Sequence, residues 1–294
     1  ARAEGCSADL SFNNYAPLLF NNCLLLDAAA LASKPIIQTL AKMQSAKEAV
    51  IRAAIGGESL PAILRVAALQ PCVQEAWLNY LSNTQAEGFN RLLGLWPNLQ
   101  LLNLQYNALT SVPGVVGNLT NLQTLYLNTN ELTTVPESLG NLTNLQTLIL
   151  QDNTLTSVPE SLGNLTNLRT LYIDTNLLTS LPASLGNLTA LTQLYIYNNR
   201  LTNIPSELGN LKALLKLSLS DNQLTSVPES LGNLTALTQL SLSGNQLTSV
   251  PESLGNLTAL TQLSLYNNQL TSVPASLGNL TVLTDLSIYD NQLT

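Results

Sequence analysis

Histidine is absent from all 294 residues. That removes the side chain whose ordinary pKa lies nearest neutrality, and with it Ser/His/Asp and Cys/His nucleophile pairs and most zinc or haem sites. Charge is scarce as well: 10% of residues are charged, against about 25% in an average soluble protein, so disorder driven by like-charge repulsion is excluded. The 45% apolar content is that of a globular chain. No apolar run reaches the roughly 18 residues of a membrane span. The three cysteines, Cys6, Cys23 and Cys72, have no metal-ligand spacing; they are idle thiols, or at most one Cys6–Cys23 bridge. There is no Gly-rich phosphate loop and no metal-ligand cluster, so no cofactor, no metal and no catalysis are expected.

Basic residues become rare along the chain. Residues 1–91 hold seven basic and seven acidic side chains, whereas residues 92–294 hold four basic ones (Arg169, Arg200, Lys212, Lys216) and eleven acidic ones, so the net charge of −7 falls wholly in the second part. A surface of that sign repels phosphate backbones and anionic lipid, so neither nucleic acid nor membrane insertion is expected.

What the chain has instead is a period. Leucine recurs every 23 residues from Leu99, Leu122 and Leu145 onward to Leu283, and asparagine likewise from Asn107 to Asn291. Nine copies begin and the ninth stops half-way, an ending that leaves room for a longer encoded protein. Self-similarity at a fixed spacing means stacked identical units. Positions four and six of each copy, such as Leu125 and Leu127, are apolar between polar or variable neighbours, the mark of a short half-buried strand. One strand per copy predicts a parallel stack. The asparagine at position nine sits where the chain leaves the strand, and its amide can bond backbone groups that the turn leaves unpaired, giving an internal ladder. Proline at position fifteen ends strand pairing, and leucines at positions eighteen and twenty-one have the spacing of one helical turn on the outer side.

The unit LxxLxLxxNxLTSVPESLGNLTA, as in residues 237–259, resembles the leucine-rich repeat family in its 23-residue form, found in Ras-group-like intracellular proteins and many bacterial ones. The resemblance implies an α/β fold, a right-handed solenoid bent into a horseshoe whose parallel sheet lines the concave side, where partners usually bind. The cysteine-rich flanking caps of extracellular members are missing. That implies a cytoplasmic chain, or one secreted by a bacterium into a host cell.

Residues 1–91 read differently. Apolar residues at helical spacing run through Pro17–Leu31 and Ile36–Ile55; Ser59 to Pro61 open a third helix, Pro71 a fourth, and Thr84 with Glu87 forms a capping box. The expectation is an N-terminal α-helical cap over 1–91, followed by the solenoid over 92–294. Trp77, Phe89 and Trp96 would cover the open end of the first copy.

Because the copies control for one another, positions required for folding are constant and positions free of that demand vary. Position five, on the face opposite the core leucines, runs Asn103, Tyr126, Ile149, Tyr172, Tyr195 and then four serines. Seven of the nine tyrosines lie in the repeats, all at positions five, seven or eight. Tyr126, Ile149, Tyr172 and Tyr195 form one predicted ridge, widened by Tyr197 and ringed by Asp152, Asp174, Arg200, Lys216 and Asp221. An apolar ridge with a polar rim has the make-up of a protein-binding hot spot. The expected function is protein–protein recognition, with a bacterial effector or effector inhibitor as one form of it. The alternative implied by the resemblance is the substrate-recognition part of a larger enzyme such as a bacterial ubiquitin ligase.

Overall fold

A computed structural model of the chain describes residues 93, 94 and 96–294, together with four strands before them, Leu19–Phe20 (β1), Cys23–Leu26 (β2), Ala49–Ala54 (β3) and Val73–Asn79 (β4). Nine three-residue strands follow. They are Leu101–Asn103 (β5), Thr124–Tyr126 (β6), Thr147–Ile149 (β7), Thr170–Tyr172 (β8), Gln193–Tyr195 (β9), Lys216–Ser218 (β10), Gln239–Ser241 (β11), Gln262–Ser264 (β12) and Asp285–Ser287 (β13). All thirteen lie in one sheet in chain order. β1 and β2 are antiparallel; from β2 onward every pair is parallel.

From β5 onward each residue pairs with the one 23 positions later, as in Leu102↔Leu125 and Leu217↔Leu240. The predicted parallel stack is therefore present, one strand per copy. Each copy from the first to the seventh turns seven apolar side chains inward; in the third these are Leu145, Leu148, Leu150, Leu155, Val158, Leu162 and Leu165, none more than 6% exposed. On the opposite side from the strands, the segment after each proline forms a five-residue 3₁₀ helix, such as Glu137–Asn141 and Glu160–Asn164. The i, i+3 spacing of its leucines is the repeat of a 3₁₀ turn, so the expected single helical turn takes that tighter form.

The position-nine ladder is also formed. Asn199 Nδ2 donates to the carbonyls of Ile196 and Tyr197 in its own copy and of Ile173 in the copy before, at 3.1–3.3 Å. Its Oδ1 accepts the Leu178 N–H at 3.0 Å. The same four bonds recur at Asn153, Asn176, Asn222, Asn245 and Asn268. A buried amide thus satisfies backbone groups that no strand or helix reaches.

Glycine at position nineteen is dictated by how closely successive 3₁₀ turns approach. A Cβ on Gly140 or Gly163 would overlap the backbone carbonyl of Ser161 or Ser184 in the next copy, and the same holds at Gly117, Gly186, Gly209, Gly232 and Gly255. At Gly278 a Cβ would meet nothing.

Within the first ninety residues the structure departs from the helical expectation. β2 lies inside the run Pro17–Leu31, β3 at the end of Ile36–Ile55, and β4 after Pro71. These residues are strand and not helix. The pairs Cys23↔Val50, Val50↔Glu75 and Glu75↔Leu101 extend the same parallel stack backward in uneven steps of 25 to 27 residues. Short runs apolar on both faces, such as Cys-Leu-Leu-Leu in β2, carry no period that separates a buried strand from a buried helix. The remainder of the expected bundle, its capping box, Phe89 and the pairing of Cys6 lie outside the described residues. The edge of the first copy is nonetheless covered: β4 pairs with β5, and Trp96, Leu93 and Ala76 are fully buried at that end of the core.

Candidate functional site

The strand face carries the candidate residues. Tyr126, Ile149, Tyr172 and Tyr195 stand in direct register across β6 to β9, so the predicted ridge exists as a continuous row. Neighbouring strands about 4.8 Å apart make it about 15 Å long. Its members are unequal. Tyr126, Tyr172 and Tyr195 are half-buried and Tyr197 is 36% exposed, whereas Ile149, between two tyrosines, is only 8% exposed and offers a partner little surface.

The tyrosines hold one another in place. Tyr172 and Tyr195 meet edge to face, with ring centroids 4.6 Å apart and planes at 71°, the arrangement that sets a ring's positive edge against another's negative face. The Tyr172 hydroxyl donates to Gln193 Oε1 at 2.9 Å, a contact that sequence reasoning did not reach. Burial raises the pKa of both Tyr172 and Tyr195, and nearby negative charge, including that of Asp174, adds to it. For Tyr197 burial and then its hydrogen bond to Asp174 push the pKa up to about 12.

The charged residues divide. Asp152, Arg200 and Asp221 are exposed in the turn that follows the strands, as expected of a rim. Lys216 is half-buried at the start of β10, in register with Gln193. Asp174 behaves otherwise. It is 2% exposed at position seven, after β8, so it lies among the tyrosines and not around them. Burial raises its carboxyl pKa against the lowering effect of hydrogen bonds from Tyr197 and its own backbone, and Asp152 adds a further upward push.

Beyond Tyr195 the ridge drops away. Ser218, Ser241, Ser264 and Ser287 line a polar concavity of about 260 Å³, with Lys216 and Asp285 at its sides. Beside it, Ser241, one of its lining residues, makes hydroxyl contacts with Ser220 and Ser243, which also contact each other. Two further tyrosines, Tyr266 and Tyr289, stack in parallel at 4.8 Å near the other end. Among the described residues no cluster of His, Cys, Asp and Glu could hold a metal ion, and no helix is long and apolar enough to cross a membrane.

A leucine-rich repeat region profile matches residues 58–197, 116–219 and 183–293, which together span most of the chain. The chain belongs to the leucine-rich repeat family. Its solved structural neighbours agree. A leucine-rich repeat protein of Leptospira interrogans is similar over 86% of this chain and 63% of its own, at 32% identity and a TM-score of 0.74. A plant peptide hormone receptor, RGFR1 in complex with RGF2, is similar over 85% of this chain and 45% of its own, at 27% identity and TM-score 0.69. The ectodomain of the Arabidopsis receptor kinase HAESA with an extended IDA peptide hormone matches 78% of this chain and 40% of its own, at 33% identity and TM-score 0.64. This leucine-rich repeat chain therefore spans less than two thirds of the length of each of these neighbours. No curated protein sequence matches it significantly. The leucine-rich repeat fold is commonly a protein-interaction module, and neighbours of this chain are solved with peptide ligands.

Proposed function

We propose that the chain is a non-enzymatic recognition module whose concave strand face grips a partner protein, with Tyr126, Tyr172, Tyr195 and Tyr197 as anchors and Ile149 as packing beneath them. One observation carries this reading. The tyrosine row lies outside the core, and copies with serine at position five keep their core leucines buried, as with Leu217 and Leu240 at 2% exposure. The scaffold does not need the rings. A partly exposed aromatic row that folding does not require, rimmed by charges of both signs, has the composition of an interface hot spot.

The Leptospira neighbour supports a bacterial setting. There such a module acts as an effector or effector inhibitor, in the bacterial cytoplasm or inside a host cell, or as the substrate-recognition part of a larger enzyme such as a ubiquitin ligase. The encoded sequence after Thr294 separates the two, since a catalytic domain there selects the second. The central reading is tested by affinity capture with the chain as bait. Tyr172→Ala and Tyr195→Ala should each weaken capture of a specific partner by roughly thirtyfold, corresponding to about 2 kcal/mol, while convex Glu160→Ala leaves it intact. Equal effects from all three would reject it.

A further inference from the structure

Asp174 is the one acid sunk into the tyrosine row. Its Oδ1 is buried and has no hydrogen-bond partner among the described residues. A buried acceptor left unpaired is costly, so it calls for a reason. Folding does not supply one: position seven is a neutral polar residue in Gln105, Asn128, Gln151, Ser220 and Ser243 of other copies, and their strands pair identically.

The surroundings of Asp174 share one electrostatic character. Tyr172 and Tyr195 meet edge to face near it, their planes at 71° to each other, and Tyr197 reaches it through its hydroxyl. The neighbouring charge it senses is that of Asp152, of the same sign. A carboxylate oxygen without a donor, beside tyrosine rings that keep one electron-rich face free of the edge-to-face contact, is complementary to a planar cation. A guanidinium can stack on a ring while one N–H reaches the oxygen.

We infer that Asp174, Tyr172, Tyr195 and Tyr197 form a cation-binding subsite that receives an arginine side chain presented by the partner. Tyr197 is the most exposed of the three rings, and the incoming group enters past it, its N–H reaching the unpaired Oδ1 of Asp174. The inference rests on the concave-face reading and narrows it, since it states what the partner must carry.

The test uses the chain alone with small probes. Protein labelled with ¹³C in its tyrosine rings is titrated with Nα-acetyl-arginine N-methylamide, with the lysine equivalent, and with the neutral citrulline isostere. Saturable shifts are expected at Tyr172, Tyr195 and Tyr197 with the arginine probe. Asp174→Asn, isosteric and uncharged, should weaken that response by about tenfold, as loss of a charged hydrogen bond does. The citrulline probe should be weaker by a similar factor, and lysine should fall between. Equal responses to arginine and citrulline, or an unchanged response in Asp174→Asn, would overturn the inference. The concave-face reading would survive that result if Tyr172→Ala and Tyr195→Ala still released a captured partner. An intact arginine response with no tyrosine-dependent partner would instead uphold the subsite and reject that reading.

Discussion

Thr129 and Thr175 have φ angles of 57° and 52°. Position eight is left-handed in every copy, at Tyr106, Asp152, Asn198, Asp221, Asn267 and Asp290 as well as at Gly244. The chain leaves the strand through this residue, and the backbone must turn there for the following asparagine to reach inward. Left-handed backbone costs an L-residue about 1 kcal/mol or more, and a β-branched one tolerates it worst. Thr129→Asn should therefore raise stability by about 1 kcal/mol, read as a higher urea midpoint at unchanged slope. The signal was present in the sequence, where Asn, Asp or Gly fill six of the nine places, but the threonines and Tyr106 mask it. Asp174 was less legible still. Nothing in its own copy marks it as buried, and Tyr197, whose hydroxyl bonds it, comes from the next one. Its raised pKa has a definite sign in stability. Between the unfolded and folded values the folded chain keeps a proton that the unfolded chain has lost, so this group's stabilisation is full below the ordinary carboxylate range and falls as pH rises through the folded value. Asp174→Asn should raise the urea midpoint at about pH 7 and leave it unchanged near pH 3, close to or below the usual aspartate pKa of about 3.9. A variant less stable at neutral pH would mean that the carboxylate is structurally required.

At the scale of the element, the stack is set by contacts between copies. The 3₁₀ turns sit so close that Gly163 has no room for a Cβ, while Gly278 faces open space. Gly163→Ala should cost about 1–3 kcal/mol by overpacking against backbone that cannot move aside, whereas Gly278→Ala should be neutral or mildly stabilising. Comparable losses at both positions would trace the effect to the turn itself and not to stacking. The asparagine ladder makes a similar demand. Replacing Asn222 by alanine leaves the carbonyls of Ile196, Leu219 and Ser220 and the N–H of Leu201 without their partner, and a loss of about 3 kcal/mol is expected from groups that water cannot reach. Both features were readable as constancy across copies, since a residue that never varies under a changing surface is tied to the backbone. The strands β2 to β4 were not readable in that way. Their spacing is uneven, so no copy served as a control, and apolar runs such as Ala-Val-Ile in β3 fit a helix as well as a strand.

In the whole molecule, these local rules add up to a one-dimensional object. Every pairing in the sheet links neighbours in chain order, so stability is a sum of copy and interface contributions and need not be lost in one step. The seven inward positions are sealed through the seventh copy, but Val273, Leu286 and Leu293 are 38–46% exposed toward the end of the described stack. Amide exchange should follow that gradient. N–H groups in the middle of the stack, such as that of Leu219 bonded to Ser241, should exchange slowest, and that of Leu265, bonded to Ser287 of the last strand, faster. A lesion placed centrally tests the same property from the other direction. Asn199→Ala removes bonds that join the fourth and fifth copies, so it should accelerate exchange in the copies on either side of it while those farther away keep their protection. Asn291→Ala, whose amide ties the last copy to Leu265, should release the ninth copy and leave the tyrosine row untouched. If either change instead lowered protection evenly from the first copy to the last, the stack would unfold as a single unit, and the tyrosine face would share its stability with every other part of the chain.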